Sequence, residues 1–157
     1  MQRQRNAERD FDIVLFGAAG FTGGLVADYL SGHLPREARW AIVGRERAEL
    51  EIAAQRLARS APKAAAPELL VADVVDPKQV AEIAPRARVI ASTIGPYLER
   101  GGVLVSLCAA HGTDYVDLCT ETEFVDRVYP ERKHSAHIAR FVTAAHRRGS
   151  EDDLRVG

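Results

Sequence analysis

Short apolar runs alternate with longer stretches of helical periodicity over most of the chain. Runs of about four to eight residues rich in Val, Ile, Leu and Phe, bounded by turn residues, predict β-strands. The predicted strands cover residues 11–16, 39–44, 68–73, 88–95 and 114–118, with a weaker sixth at 139–145. The predicted helices between them cover residues 22–31, 45–60, 77–84, 98–111 and 130–138.

This alternation of strands and helices predicts an α/β fold. Strands that are apolar on both faces are typical of a parallel sheet covered by helices on each side. Right-handed crossovers then favour a Rossmann-type, doubly wound topology with a mostly parallel sheet of five or six strands. We expect one such domain over residues 11–145, preceded by a flexible polar lead-in at 1–10 and followed by a disordered polar tail at 146–157.

Composition narrows the class of protein. The 157 residues carry a net charge of −1, which gives no electrostatic footprint for nucleic acid or for an anionic membrane. No run approaches the roughly 20 apolar residues of a membrane span, and the polar N-terminus does not resemble a signal peptide. Cys108 and Cys119 are too few for a disulfide framework and are expected to be reduced thiols. We therefore expect a cytoplasmic protein.

Three evenly spaced glycines follow the first predicted strand directly and open the first helix. In this position Gly17 allows a tight turn, Gly20 lets a pyrophosphate approach the main chain, and Gly23 lets the helix pack closely on the strand. The amides from Gly20 to Thr22 would then face the phosphates at the positive end of the helix dipole. The spacing G-x-x-G-x-x-G differs from the common G-x-G-x-x-G, and a tight turn without a ligand is the alternative.

The end of the second predicted strand bears on the choice of dinucleotide. NAD-binding domains place an acid there for the ribose 2′-hydroxyl, whereas this chain has Arg45 and no acid before it. A guanidinium binds a 2′-phosphate as a fork, so the sequence favours NADP(H). Arg47 is near enough to share this role. The alternative is that Arg45 only begins the next helix as a solvated side chain.

Two further strand ends supply candidate contacts with a dinucleotide. Asp73 ends the third predicted strand and is placed to accept a hydrogen bond from adenine, although a cap or a solvated loop acid is an equal alternative. The fourth strand ends in a small, hydroxyl-bearing turn with Ser92, Thr93, Gly95 and Pro96. Ligands bind outside such strand ends where the strand order reverses, so this turn is expected along the nicotinamide half. A helix-starting turn is compatible with the same residues.

Acid–base and metal chemistry are weakly indicated. Asp117 and Glu121 follow the fifth strand, where helix capping or solvation is favoured over acid–base catalysis. Tyr97 is a candidate proton donor, although a packed aromatic at the start of a helix is the simpler interpretation. The histidines near the end of the chain have a basic setting that disfavours a metal site; they are His134, His137 and His146. No nucleophile is assigned, and catalytic residues stay unknown.

Several motifs, in order, resemble the saccharopine dehydrogenase-like oxidoreductases and, within them, the trans-acting enoyl reductases. The motifs are FDIVLFGAAGFTGGLVADYL, RWAIVGRERAEL, LLVADVVDP, STIGPYLERGG and GTDYVDL. The resemblance covers about residues 11–129. It implies an NADPH-dependent reductase that reduces a double bond on an acyl or polyketide-derived lipid intermediate of a partner synthase. The cofactor-binding residues expected on this basis and from the strand ends are Gly17, Ala19, Gly20, Phe21, Thr22, Gly23, Arg45, Asp73, Thr93 and Gly95.

The chain also departs from this family. Ala19 stands where the family usually has threonine, and Thr120 stands where it usually has glycine. Family members continue into a substrate domain that supports dimerisation, whereas this sequence ends at Gly157. We therefore expect a truncated or frameshifted product with the substrate domain missing, and exposed apolar surface that favours a homo-oligomer. The alternatives are a non-catalytic dinucleotide-binding remnant and an interaction subunit.

Overall fold

The structure is a computed structural model that describes residues 9–134 and 141–143, with side chains described for residues 9–128. Its strands are β1 (Phe11–Phe16), β2 (Trp40–Gly44), β3 (Glu68–Val71), β4 (Ala87–Ser92), β5 (Asp114–Asp117) and β6 (Phe141–Thr143). Its helices are α1 (Phe21–His33), α2 (Arg47–Ser60), α3 (Pro77–Ile83), α4 (Tyr97–His111) and α5 (Thr122–His134). A 3₁₀ turn at Ala84–Arg86 joins α3 to β4.

The six strands form one sheet in the order β3-β2-β1-β4-β5-β6, and every neighbouring pair is parallel. This confirms the predicted doubly wound α/β fold with five or six strands. The order reverses between β1 and β4, because the chain builds outward from β1 to β3 and then crosses back to β4. The carboxyl ends of β1 and β4 therefore flank the topological switch point.

Two apolar layers hold the helices against the sheet. On one face, α1 and α2 pack on β1 and β2, and the buried side chains there include Ala27, Leu50, Leu57, Trp40 and Ile42. On the other face, α3, α4 and α5 pack on the sheet, and the buried side chains there include Val80, Leu104, Phe124, Phe16 and Ile90. This arrangement follows from right-handed crossovers that run in opposite directions from the switch point.

The last described helix differs from the sequence prediction. We predicted a helix at 130–138, but α5 spans Thr122–His134 and so begins eight residues earlier. Its first half exposes most of its polar side chains and buries Phe124 and Val128 against the core. Two apolar residues four positions apart are a weak periodic signal, and packing on α4 decides where this helix begins. The predicted strand ends at 73 and 95 were also too late, since β3 ends at Val71 and β4 at Ser92.

The residues before β1 are tied to the domain. Arg9 donates hydrogen bonds to the carbonyl O of Ala87 (2.6 Å), the Oγ1 of Thr113 (2.5 Å) and the carbonyl O of His111 (2.7 Å). Asp10 pairs with Arg86 at 2.6 Å. Residues 1–8 of the predicted lead-in and the predicted tail at 146–157 lie outside the described residues. In the described part of the chain, no helix is long and apolar enough to cross a membrane.

We predict that Arg9→Met lowers the free energy of unfolding by about 2 kcal/mol, the usual size for hydrogen bonds to a charged group. The substitution keeps most of the apolar stem and removes the guanidinium that links the start of β4 to the end of α4. Urea denaturation followed by far-UV circular dichroism measures the change. Arg36→Met is the control, because Arg36 is exposed and forms no ion pair within the described residues. Equal stability of the two variants would contradict this role.

Candidate functional site

The carboxyl end of β1 is hydrogen-bonded to the strands on both sides. The amide of Gly17 donates to the carbonyl O of Val43 in β2 at 3.0 Å, and the amide of Thr93 donates to the carbonyl O of Phe16 at 3.1 Å. The glycine turn thus lies between the loop that contains Arg45 and the loop that contains Thr93 and Gly95. Most of the predicted cofactor residues therefore meet at one edge of the sheet, while Asp73 follows β3 farther out.

Two of the three glycines are required by close contacts. Gly17 has a φ of +92°, in the left-handed region that favours glycine. A Cβ on Gly23 would lie 1.9 Å from the carbonyl O of Gly17 and 2.7 Å from the Oγ1 of Thr93. Gly23 therefore allows α1 to contact the turn through backbone atoms, as the sequence predicts. A Cβ on Gly20 would meet only the carbonyl O of Gly17, at 3.4 Å, so the space beside Gly20 is open.

Two helices begin at the switch point, and only one of them has its first amides bound by a side chain. At α4, the carboxylate of Glu121 accepts hydrogen bonds from the amides of Tyr97 (2.8 Å) and Leu98 (2.9 Å). At α1, the N-cap is Gly20, no described side chain caps the helix, and the first turn contains no acid. A helix N-terminus binds anions through its free amides and its dipole. Of these two helix ends, that of α1 is therefore the one whose first amides, those of Phe21 and Thr22, are left open to an anion.

The first turn of α1 also borders an open groove against α2. The groove has a volume of about 440 Å³, and its walls include Ala19, Gly20 and Phe21 on one side and Ile52 on the other. Phe21 is 86% exposed. The predicted phosphate-side residues therefore lie at an accessible surface. Sequence analysis did not single out Ile52, because an apolar position on an amphipathic helix is normally assigned to the core.

Arg45 and Arg47 differ in their surroundings. Arg45 directly follows β2, is exposed, and forms no ion pair with a described residue. Arg47, in the first turn of α2, pairs with Glu51 at 3.0 Å. A guanidinium at the end of β2 suits the 2′-phosphate of NADP(H), and the residues present therefore fit this cofactor. Of the two cations named from the sequence, Arg45 is the unpaired one in the described structure.

Asp73 and Thr93 both make local structural bonds. The Oδ1 of Asp73 accepts from the amide of Val75 at 3.2 Å, which closes a turn between β3 and α3. The Oγ1 of Thr93 donates to the carbonyl O of Phe16 at 3.0 Å and so points inward, against the glycine turn. Gly95 is exposed in the short loop between Thr93 and α4. The part of this loop that is exposed to a ligand is the part around Gly95.

The acid–base candidates are engaged inside the fold. Asp117 is 3% exposed, its Oδ1 accepts from the amide of Cys119 at 3.0 Å, and burial raises the pKa of its carboxyl group. Burial likewise raises the pKa of Tyr97 to about 12, and its hydroxyl donates to the carbonyl O of Ser92 at 3.0 Å. Glu121 caps α4, and helix capping was one of the two roles that the sequence favoured for it over acid–base catalysis. No catalytic residue emerges from this set.

The cysteines and the described metal-ligating side chains do not form a reactive or metal-binding site. Cys108 and Cys119 are buried free thiols whose pKa values are raised by burial, which disfavours a reactive thiolate. The described side chains contain no group of three or more His, Cys, Asp or Glu that could hold a metal ion. His137 and His146 lie outside the described residues, and the side chain of His134 is not among the described side chains.

Comparison with known proteins connects this geometry with a family. The family described as saccharopine dehydrogenase NADP binding domain matches residues 13–153. The trans-acting enoyl reductase of Mycobacterium tuberculosis is 44% identical over 118 residues, which is 75% of this chain and 27% of that protein. The trans-acting enoyl reductase of Mycobacterium ulcerans is 42% identical over 119 residues. The chain thus spans about a quarter of the length of these curated relatives.

Solved structures show the same fold at low sequence identity. Apo saccharopine dehydrogenase (L-Glu forming) from Saccharomyces cerevisiae has a TM-score of 0.66 at 18% identity, covering 85% of this chain and 27% of that one. The TrkA-N domain of the inner membrane protein ybaL from Escherichia coli has a TM-score of 0.63 at 13% identity, covering 90% and 92%. At these identities the likeness shows the fold alone.

We predict that Gly23→Ala destabilises the protein by about 3 kcal/mol or more, because the new methyl group overlaps the carbonyl O of Gly17 and forces α1 off the turn. Gly20→Ala should cost about 1 kcal/mol or less, the difference between glycine and alanine at an N-cap. Urea denaturation of both variants beside the wild type measures the contrast. Near-equal losses of stability at the two positions would show that the close helix–turn contact does not govern this region.

Proposed function

The chain belongs to the saccharopine dehydrogenase NADP-binding domain family, and on that premise we propose that it holds NADPH for a reductase of acyl or polyketide-derived lipid intermediates. NADP(H) is the cofactor of this family's domain. The observation that carries the proposal is the contrast between two helix ends at the switch point. The N-terminus of α1 is uncapped beside an open glycine, and the N-terminus of α4 is capped by a carboxylate.

We assign the cofactor-binding roles along the edge of the sheet. The turn and first turn of α1 would bind the pyrophosphate through backbone amides, using Gly17, Ala19, Gly20, Phe21, Thr22 and Gly23. Arg45 would bind the 2′-phosphate, and Asp73 would border the adenine. Thr93 supports the glycine turn through its hydrogen bond to the carbonyl O of Phe16, and Gly95 would border the nicotinamide half. When bound, the cofactor supplies a hydride, and the protein's part is to hold and orient it.

The activity of the whole reductase is a further part of the proposal. The relatives named trans-acting enoyl reductases support a substrate with a carbon–carbon double bond. We propose that a partner polyketide synthase delivers this substrate. Hydride transfer requires cofactor and substrate to be held at close range. The described residues would form the cofactor side of such a site, so the substrate side is expected from the part of the relatives that this chain does not match.

A second candidate is a dinucleotide-binding module without catalysis of its own. It is favoured by the engagement of Asp117, Tyr97 and Glu121 in bonds that support the fold. Binding of NADPH without reduction of enoyl thioesters by this chain would support the module. Turnover of such a substrate by the chain alone would exclude it.

We predict that the chain binds NADPH about ten- to a hundredfold more tightly than NADH, as expected for one charge-assisted bond to the 2′-phosphate. Arg45→Ala should abolish most of this preference by weakening NADPH binding and leaving NADH binding unchanged. Titrations followed by nicotinamide fluorescence measure both dissociation constants.

Arg47→Ala is the matched control for this prediction, because Glu51 already pairs with the Arg47 guanidinium. It should leave the preference for NADPH within about twofold of the wild type. An Arg45→Ala variant that keeps the full preference would remove Arg45 from the site. A wild-type chain that binds neither nucleotide would overturn the proposed function.

A further inference from the structure

The loop between β4 and α4 is held at both ends. At its start, the Oγ1 and the amide of Thr93 both donate to the carbonyl O of Phe16, at 3.0 and 3.1 Å. At its end, the amides of Tyr97 and Leu98 donate to the two carboxylate oxygens of Glu121, at 2.8 and 2.9 Å. The segment 94–96 spans these two anchors, and its path depends on both of them.

Glu121 reaches this loop from a separate part of the chain. It follows β5, 23 and 24 positions beyond the two amides that it binds. The same contact is reinforced by Tyr97, whose hydroxyl donates to the carbonyl O of Ser92 at 3.0 Å and accepts from the amide of Leu118 at 3.4 Å. The loop after β4 and the loop after β5 are therefore clasped together by Glu121 and Tyr97.

The Glu121 carboxylate also determines which anions this edge of the sheet can accept. A carboxylate at a helix N-terminus satisfies free amides and neutralises the positive end of the dipole. With Glu121 in place, the amides of Tyr97 and Leu98 are not available to a phosphate. A doubly wound sheet binds the two halves of a dinucleotide on either side of the switch point. The clasp lies on the β4–β5 side of the switch point, and Arg45 lies on the other side, directly after β2.

We propose that Glu121 is a positioning residue for the nicotinamide half of the dinucleotide. It holds the loop 94–96 in the shape that accepts this half, and it does so through the amides of Tyr97 and Leu98. The inference rests on the proposed cofactor site. Glu121 does not touch the adenosine side, so its effect is confined to ligands that contain the nicotinamide half.

The test compares two ligands by isothermal titration calorimetry on the full chain. NADPH contains both halves, and adenosine 2′,5′-bisphosphate contains the adenine and the 2′-phosphate without nicotinamide. Glu121→Ala removes both hydrogen bonds that hold the end of the loop, so it should raise the dissociation constant of NADPH about tenfold and leave that of the bisphosphate within about twofold. Glu121→Gln keeps one oxygen acceptor and should fall between the wild type and the alanine variant.

Two further variants keep the test decisive. Glu123→Ala is the matched control, because Glu123 lies two residues away, is exposed and pairs only weakly with Arg127 at 3.4 Å. Tyr97→Phe removes the hydroxyl from the clasp while its ring stays packed beside Phe124. It should weaken the binding of NADPH and leave the binding of the bisphosphate unchanged. It replaces Glu121→Ala in the test if circular dichroism shows that Glu121→Ala does not fold.

The outcomes separate this inference from the proposed function. A wild-type chain that binds both ligands, with variants that weaken both equally or neither, would overturn the positioning role and leave the cofactor site in place. A wild-type chain that binds neither ligand would overturn the cofactor site and the positioning role together. Selective loss of NADPH affinity in Glu121→Ala or Tyr97→Phe, with Glu123→Ala unchanged, is the expected result.

Discussion

The contact between the backbone of α1 and the turn after β1 sets the geometry of the whole edge of the sheet. The carbonyl O of Gly17 lies where any Cβ on residue 23 would be, so the helix approaches to a distance that only glycine allows. Hydrogen bonds from Gly17 to β2 and from Thr93 to β1 hold the same turn from both sides. Close packing here leaves the first amides of α1 directed at the open edge, which is the condition for binding an anion.

A carboxylate cap then distinguishes two helix ends that occupy similar places in the topology. Both α1 and α4 begin beside the switch point, and each brings free amides and a positive dipole end. In α4 these are satisfied by Glu121 from the neighbouring loop, and in α1 they are open. In the cofactor site that we propose, this asymmetry would give a dinucleotide one direction across the sheet, with its phosphates at α1 and its adenosine 2′-position near Arg45. The groove beside α1 leaves that side accessible.

The polar residues after β4 and β5 stabilise the site more than they equip it for proton transfer. Asp117, Tyr97 and Glu121 are bound to backbone groups of the two loops, and burial raises the pKa of Asp117 and of Tyr97. Such residues give a rigid edge on which a cofactor can be held. This division agrees with a chain that spans about a quarter of the length of its curated relatives and belongs to the saccharopine dehydrogenase NADP-binding domain family.

Local sequence patterns were sufficient for the α/β alternation, the parallel sheet, the glycine turn and the cation after β2, because each depends on residues within a few positions of one another. The start of α5 and the cap on α4 were decided by tertiary structure. Phe124, in the first turn of α5, packs on α4 at Gly101, and Glu121 caps α4 because folding brings it to amides more than 20 positions away. The inward hydroxyl of Thr93 was also set by a strand distant in sequence. Periodicity and turn chemistry report on neighbours along the chain, whereas these contacts exist only once β1, β4 and β5 lie side by side.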